Sequence, residues 1–297
     1  MALAISNSTA DDRGRELVQH GSTAFPVGCY DSDLSIDEVP WHWHGELEAA
    51  IVAEGAVAVA IGKERYAIGP GEGFFVNSGV LHRVWDANIS HCRLHSLVFH
   101  PRLVGGSLDS VFYQDYVLPL CENHALDGIV LSGREPWQQQ ALEAIEAAWQ
   151  SCVQEPDCFE FRVRGELSRL IGLIHGQQPP SHSFKASKAN REGERIKTML
   201  QYVHDHFDTQ LDVGQIAQSA AVSKTECMRC FRSTVGISPI QYVKQYRIQK
   251  AARMLSATDH QIADIAADCG FQDISYFTKT FREVKDCTPS EYRSRHS

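Results

Sequence analysis

IAADCGFQDISYFTKTFREVKDCTP, residues 265–289, repeats a pattern already present in IAQSAAVSKTECMRCFRSTVGISP, residues 216–239. Ile216, Ala217 and Val222 match Ile265, Ala266 and Phe271 at an offset of 49, and Phe231 and Pro239 match Phe281 and Pro289 at an offset of 50. The second copy therefore has one extra residue at its middle turn. A unit of this size used twice is one supersecondary motif, not chance similarity. Each copy reads as a short helix, a tight turn and a second helix. Ser223 is placed to cap the second helix of the first copy, where Cys227, Cys230 and Phe231 form an apolar stripe. Gly236 ends that helix, and Ser238-Pro239 start a longer one through about residue 255. Tyr276, Phe277 and Phe281 make the corresponding face in the second copy, and Thr288-Pro289 begin a final short helix. Cys227-x-x-Cys230 sits where a helix buries apolar side chains, so it reads as core and not as a zinc or redox pair.

Two helix-turn-helix units joined by a long helix suit double-stranded DNA, with each second helix set into a major groove. The exposed residues of the first such helix are expected to include Lys224, Thr225, Met228, Arg229 and Arg232. Those of the second include Ile274, Ser275, Thr278, Lys279 and Arg282. Cationic side chains can donate to guanine edges or to phosphates, and Ile and Met can press on thymine methyls. The charge balance agrees. Residues 1–184 carry 11 Lys+Arg against 24 Asp+Glu, a net of −13, whereas residues 185–297 carry 17 against 13, a net of +4. Such asymmetry points to two domains with different partners.

At these motifs the C-terminal third resembles the double helix-turn-helix DNA-binding domain of AraC/XylS transcriptional regulators. Gly270-Phe271, Ser275-Tyr276-Phe277 and Thr288-Pro289-x-Glu291-Tyr292-Arg293 carry the resemblance. It implies base-reading roles for Thr225, Met228 and Arg229, then for Ile274, Ser275 and Lys279. Asp286 stands where the family usually has glycine, and Asp tolerates the left-handed backbone better than most residues.

The other end of the chain carries WHWHGELEAAIVAEG, residues 41–55. On a strand His42 and His44 share one face and Trp41 and Trp43 the other. Short β-rich runs with Gly, Pro and Asn punctuation follow, which suggests an antiparallel barrel. His42-x-His44-x3-Glu48-x6-Gly55 resembles the first cupin motif, and Gly71-x5-Asn77-x-Gly79-x2-His82 the second, with Asn77 in place of the usual proline. All four cupin metal-ligand positions are thus filled, by His42, His44, Glu48 and His82. Two uses remain open for them. They can line a metal-free polar pocket for a small-molecule effector, a sugar or small polar metabolite, with Trp43 available for stacking. They can also hold a divalent metal (Zn, Mn, Fe or Ni), which is not required for sensing. The alternative is a metal-dependent cupin enzyme or metal sensor fused to a DNA reader. The fused reader favours sensing over turnover, so no catalytic residue is expected. His91, His95 and His100 read as ordinary strand residues.

Residues 135–154, with Pro136 beginning the helix, and 157–176 read as two amphipathic helices, with Leu142, Ile145 and Trp149 on the first stripe and Phe159, Val163, Leu167, Leu170, Ile171 and Ile174 on the second. The family resemblance implies that one of them pairs with its copy in a homodimer. GQQPPSHSFKASKAN, residues 176–190, reads as a linker.

The expected fold class is therefore α+β and multidomain: an N-terminal arm (1–19), a cupin-like sensing barrel (20–110), a helical and dimerising segment (111–176), a linker (177–191) and an all-α double helix-turn-helix domain (192–297). Nine cysteines at irregular spacing favour reduced thiols in a cytoplasm. No secretory signal or membrane span is expected, and RNA polymerase becomes a partner if the regulator is an activator.

Overall fold

The computed structural model describes residues 20–35, 38–87, 91–177 and 188–296. The expected N-terminal arm and most of the expected linker lie outside the described residues. By internal contacts the chain divides into two units, one through residue 191 and one over residues 192–297.

The first unit begins with eight strands: β1 (Val27–Asp33), β2 (Val39–His42), β3 (Leu47–Glu54), β4 (Val57–Ile61), β5 (Glu64–Ile68), β6 (Gly73–Val76), β7 (His82–Asp86) and β8 (Arg93–Phe99). Then come α1 (Arg102–Gly105), a π-helical turn (Phe112–Val117) running into α2 (Leu118–Cys121), β9 (Gly128–Leu131), α3 (Pro136–Gln154) and α4 (Phe159–Gly176). One sheet has the order β1-β8-β3-β6-β9 and the other β2-β7-β4-β5, with antiparallel pairing throughout.

Strand β3 explains why the sequence reads as it does. Its side chains alternate, yet six of its eight residues are buried. Leu47, Ala49 and Ile51 join Phe75, Leu97 and Phe99 in a core with α3 and α4. Ala50 and Val52 join Phe74, Val76, Val59 and Val84 between the sheets. A strand covered on both faces has little polar side, so residues 49–53 appear as a continuous apolar run. Glu48 has the parity of Ala50 and Val52, which puts a carboxylate inside the barrel.

The barrel does not end near residue 110. Strand β9 pairs with β6 through Gly73–Leu131 and Val76–Gly128, so the expected helical segment is interrupted by a sheet strand. Four apolar residues between helical stretches show neither a period of 2 nor one of 3.6, so the sequence pattern hides it. Helix α3 then buries Leu142, Ile145 and Trp149 and α4 buries Val163, Leu167, Leu170, Ile171 and Ile174.

The second unit is helical: α5 (Lys188–Asp205), α6 (Val213–Ser219), α7 (Lys224–Cys230) with a π-helical continuation (Phe231–Val235), α8 (Pro239–Ala257), α9 (Ile262–Asp268), α10 (Ile274–Lys285) and α11 (Pro289–His296). The repeat is visible bond by bond. Val222 N–H donates to Ala217 O at 3.0 Å, and Phe271 N–H to Ala266 O at 2.9 Å. The caps are Ser223 and Asp273, offset by 50, so the extra residue falls between the turn and α10. Asp286 takes φ 56° and closes α10 in the left-handed conformation. Cys227 and Cys230 are fully buried, and Phe277, Phe281 and Tyr292 interlock edge to face at 5.7 and 5.5 Å. Tyr276 departs from its expected place: it is 44% exposed, with Lys244 Nζ 5.3 Å from the ring centroid.

At the base of this unit His204 is buried, stacked on Tyr246 at 4.2 Å and bonded through Nε2 to Tyr242 Oη at 2.6 Å. Burial, with help from Lys250, pushes its pKa down to about 3 from the ordinary 6.5. The unfolded chain thus binds this proton first, so stability is complete above the ordinary value and falls as pH drops toward the folded one. By pH 5 the loss is about 2 kcal/mol, or roughly 10 °C in Tm for a unit of this size. Calorimetry of the full chain between pH 7.5 and 5 should show the helical transition moving down by that amount, and His204→Phe should flatten the slope.

Candidate functional sites

Four polar side chains meet inside the barrel. His42 is the cross-strand partner of His82 between β2 and β7, and Glu48 comes from β3 of the facing sheet. His44 arrives differently from strand parity. Strand β2 ends at His42, and Gly79 N–H donates to His44 O at 2.8 Å while Ser78 Oγ donates to Gly45 O at 2.8 Å. The loop that follows β6 thus clasps the turn that carries His44. Asn77 anchors that loop: its Nδ2 donates to Leu120 O at 2.8 Å and Leu126 O at 3.1 Å, bonds that the proline it replaces could not make.

All four residues are at most 6% exposed, and one ligand atom from each lies within 4.8 Å of the others. Every imidazole is oriented by the main chain. His42 Nδ1 lies 2.9 Å from Pro40 O, His44 Nδ1 3.2 Å from Glu46 O, and His82 Nδ1 2.9 Å from Val80 O. A carbonyl only accepts, so each Nδ1 carries its proton. In a neutral ring Nε2 is then a lone pair. Yet His82 Nε2 lies 2.8 Å and His44 Nε2 3.3 Å from the same oxygen, Glu48 Oε2. Two acceptors at such distances need a proton or a cation between them, and one cation shared by the group meets both contacts at once. Burial opposes ionisation of Glu48, but His82 and His44 outweigh it and hold the carboxyl well below the usual range. Oriented imidazoles, an ionised carboxylate and close ligand atoms fit a divalent ion.

Trp43, expected as a stacking surface, is half-buried. Trp41 is the buried indole, 3% exposed, and its N–H has no partner among the described residues. Sequence reasoning missed His20, whose ring stands edge-on to His44 at 5.4 Å. Nothing in its local sequence marks it, because it reaches the site by a turn ahead of β1. His95 stacks on Trp149 at 3.6 Å, outside the group of four.

The residues expected to read DNA lie on the second helix of each motif and, for Arg232, on its π-helical continuation. Lys224, Thr225, Arg229 and Arg232 are exposed and Met228 is half-buried. Arg229 is not an open hand: its Nε and Nη2 donate to Glu226 at 2.9 and 2.7 Å, and Arg195 approaches the same carboxylate at 3.5 Å. On α10, Ile274, Ser275, Thr278, Lys279 and Arg282 line one concave surface of about 700 Å³ together with Glu283 and Thr288. Ile274 is 45% exposed, which leaves its side chain open to an apolar group such as a thymine methyl. Lys279→Ala should weaken binding to the specific site and relax base preference by about 1–3 kcal/mol at the contacted position, read by a footprint titration. Glu226→Gln should release Arg229 and raise non-specific affinity several-fold at low salt; an unchanged salt slope would remove Glu226 from this role.

Comparison with known proteins identifies the family. The family model of an AraC-like ligand binding domain matches residues 27–195, and that of a helix-turn-helix domain matches residues 216–295. An uncharacterised HTH-type transcriptional regulator of Bacillus subtilis (strain 168), YdeC, is 27% identical over 298 residues, covering 99% of this chain and 100% of its own. The melibiose operon regulatory protein of Escherichia coli (strain K12) is 24% identical over 264 residues, covering 85% and 82%. Among solved structures, ToxT from Vibrio cholerae O395 is 12% identical with a TM-score of 0.47, covering 93% of this chain and 99% of its own. This chain belongs to the AraC family of DNA-binding transcription regulators, with a ligand-binding domain ahead of its helix-turn-helix domain.

Proposed function

We propose that the chain regulates transcription by reading an operator with α7 and α10 while the His42, His44, Glu48 and His82 centre senses a small polar effector. A relative that regulates the melibiose operon supports a sugar or small polar metabolite. The orientation of all three rings through Nδ1 carries a more specific reading: the centre holds a divalent ion, with Nε2 of each histidine and Glu48 as its ligands. Such an ion would supply a Lewis-acidic anchor for an effector oxygen. The protein's own part is to fix the rings, exclude water and keep the carboxylate ionised. An occupant can switch the regulator only by favouring one arrangement of the chain over another, so the role is regulation and not turnover.

His44→Ala should lower Zn²⁺ affinity by about tenfold or more while leaving metal-free DNA affinity unchanged. Calorimetric Zn²⁺ titration beside a gel-shift assay measures both, and an unaltered isotherm would sink the assignment.

We also place the second copy of a homodimer on α4. The apolar stripes of α3 and α4 are both consumed in the core beside the sheet, but α4 also presents Phe161 at 77% exposure, and Phe112 and Val111, in the segment ahead of α2, are 60% and 54% exposed. Large aromatic side chains left in water are of the kind that interface cores collect. Phe161→Asp should convert a dimer into a monomer in light scattering; a mass unchanged by the substitution would move the interface elsewhere.

A further inference from the structure

The residues ahead of β1 fold back on themselves. Ser22 N–H donates to Phe25 O at 3.0 Å and Phe25 N–H to Ser22 Oγ at 3.0 Å. Gly21 takes φ +76°, and a Cβ there would lie 2.4 Å from Phe25 O. This turn delivers His20 to the barrel centre, 5% exposed and edge-on to His44. Its Nδ1 is 2.7 Å from Tyr30 Oη. Tyr30 in turn lies back along β1 over Gly28, where a Cβ would come 2.6 Å from the hydroxyl. The Tyr30 carbonyl accepts the Trp149 indole N–H at 2.9 Å, and Trp149 belongs to α3. A run of buried contacts thus leads from His44 through His20 and Tyr30 to Trp149. Neither His20 nor Tyr30 is among the four ligands.

His44 is the ligand with the longer bond to Glu48, 3.3 Å against 2.8 Å for His82. Its Nε2 therefore has room to move toward an ion, whereas that of His82 already lies close to the carboxylate. We infer that His20, held by Tyr30, is the positioning residue through which a divalent ion in the barrel centre orders β1 and α3. The inference rests on the divalent-ion reading of that centre. When Nε2 of His44 is drawn to an ion, the ring packed edge-on against it must follow, and Tyr30 is hydrogen-bonded to that ring. The chain of packed groups ends on the helix that covers the sheet, which gives the occupant leverage outside the barrel.

Hydrogen exchange of the full chain with and without Zn²⁺ tests this. In the wild type Zn²⁺ should slow exchange about threefold or more in the β2–β3 ligand segment, in β1 and in α3 around Trp149. Tyr30→Phe removes one hydroxyl and keeps the ring. It should leave Zn²⁺ affinity within about threefold, keep the protection of β2–β3 and lose that of α3. His20→Gln should behave alike, which covers the case in which one variant fails to fold. Protection of α3 that persists in both variants overturns the proposal, as does wild-type protection confined to β2–β3. Loss of Zn²⁺ binding in both overturns it too, because His20 would then serve the ligand set itself. A flat Zn²⁺ isotherm for the wild type shows instead that the divalent-ion reading has failed, and the relay falls with it.

Discussion

A carboxylate buried between two sheets has to be matched by positive charge, and the barrel is arranged around that requirement. Glu48 occupies an interior position of β3 because the strand alternates, and its neighbours on that face are Ala50 and Val52. Stranding a lone charge among them would cost several kcal/mol. His44 and His82 meet it at one oxygen, and the main chain fixes both rings from behind. The loop after β6, the turn after β2 and the anchoring amide of Asn77 are the means by which distant segments are brought to that carboxylate. A polar centre of this kind is demanding: every member depends on the placement of the others.

The DNA-reading unit solves a different problem, which is to present side chains without committing them. Its apolar residues are withdrawn into compact clusters, such as that of Phe271, Phe277, Phe281 and Tyr292 with Ile265 and Leu255. What remains outside is short-range and exchangeable. Arg229 is parked on Glu226, a contact between exposed groups that water already weakens, so exchange for a phosphate or a guanine is inexpensive.

Much of this was legible in the sequence because its signals were periodic or punctuated. The repeat at offsets of 49 and 50 marked the second helix of each copy, and Ser223 marked where the first of them starts; the matching cap, Asp273, emerged only in the structure. The four barrel residues stood at recognisable spacings. What was hidden had no local signal. Strand β9 is four apolar residues whose partner, β6, lies about fifty positions earlier. His20 is one histidine in a polar stretch, and only the return of the chain at Gly21 makes it part of the centre. The hold of Glu226 on Arg229 depends on rotamers, which one-dimensional pattern does not encode. The placement of Trp41 in the core, with Trp43 left half-buried, likewise depends on where β2 stops.

The single residue that separates the two copies has an effect on symmetry. The first copy turns through Ala221 at φ 52° and the second through Gly270 at φ 76°, and only the second then inserts Gln272 before its cap. The two readers also differ in character: one offers Lys224, Arg229 and Arg232, the other an isoleucine, hydroxyls and Lys279. Unlike readers in a fixed order give a single chain a head and a tail. A duplex that fits them has no dyad within the span of one chain, so reversing that span presents each helix with the wrong bases. If both helices read bases, as proposed, each bound chain points in one direction along the DNA, and the side of a start site on which it stands becomes part of the message.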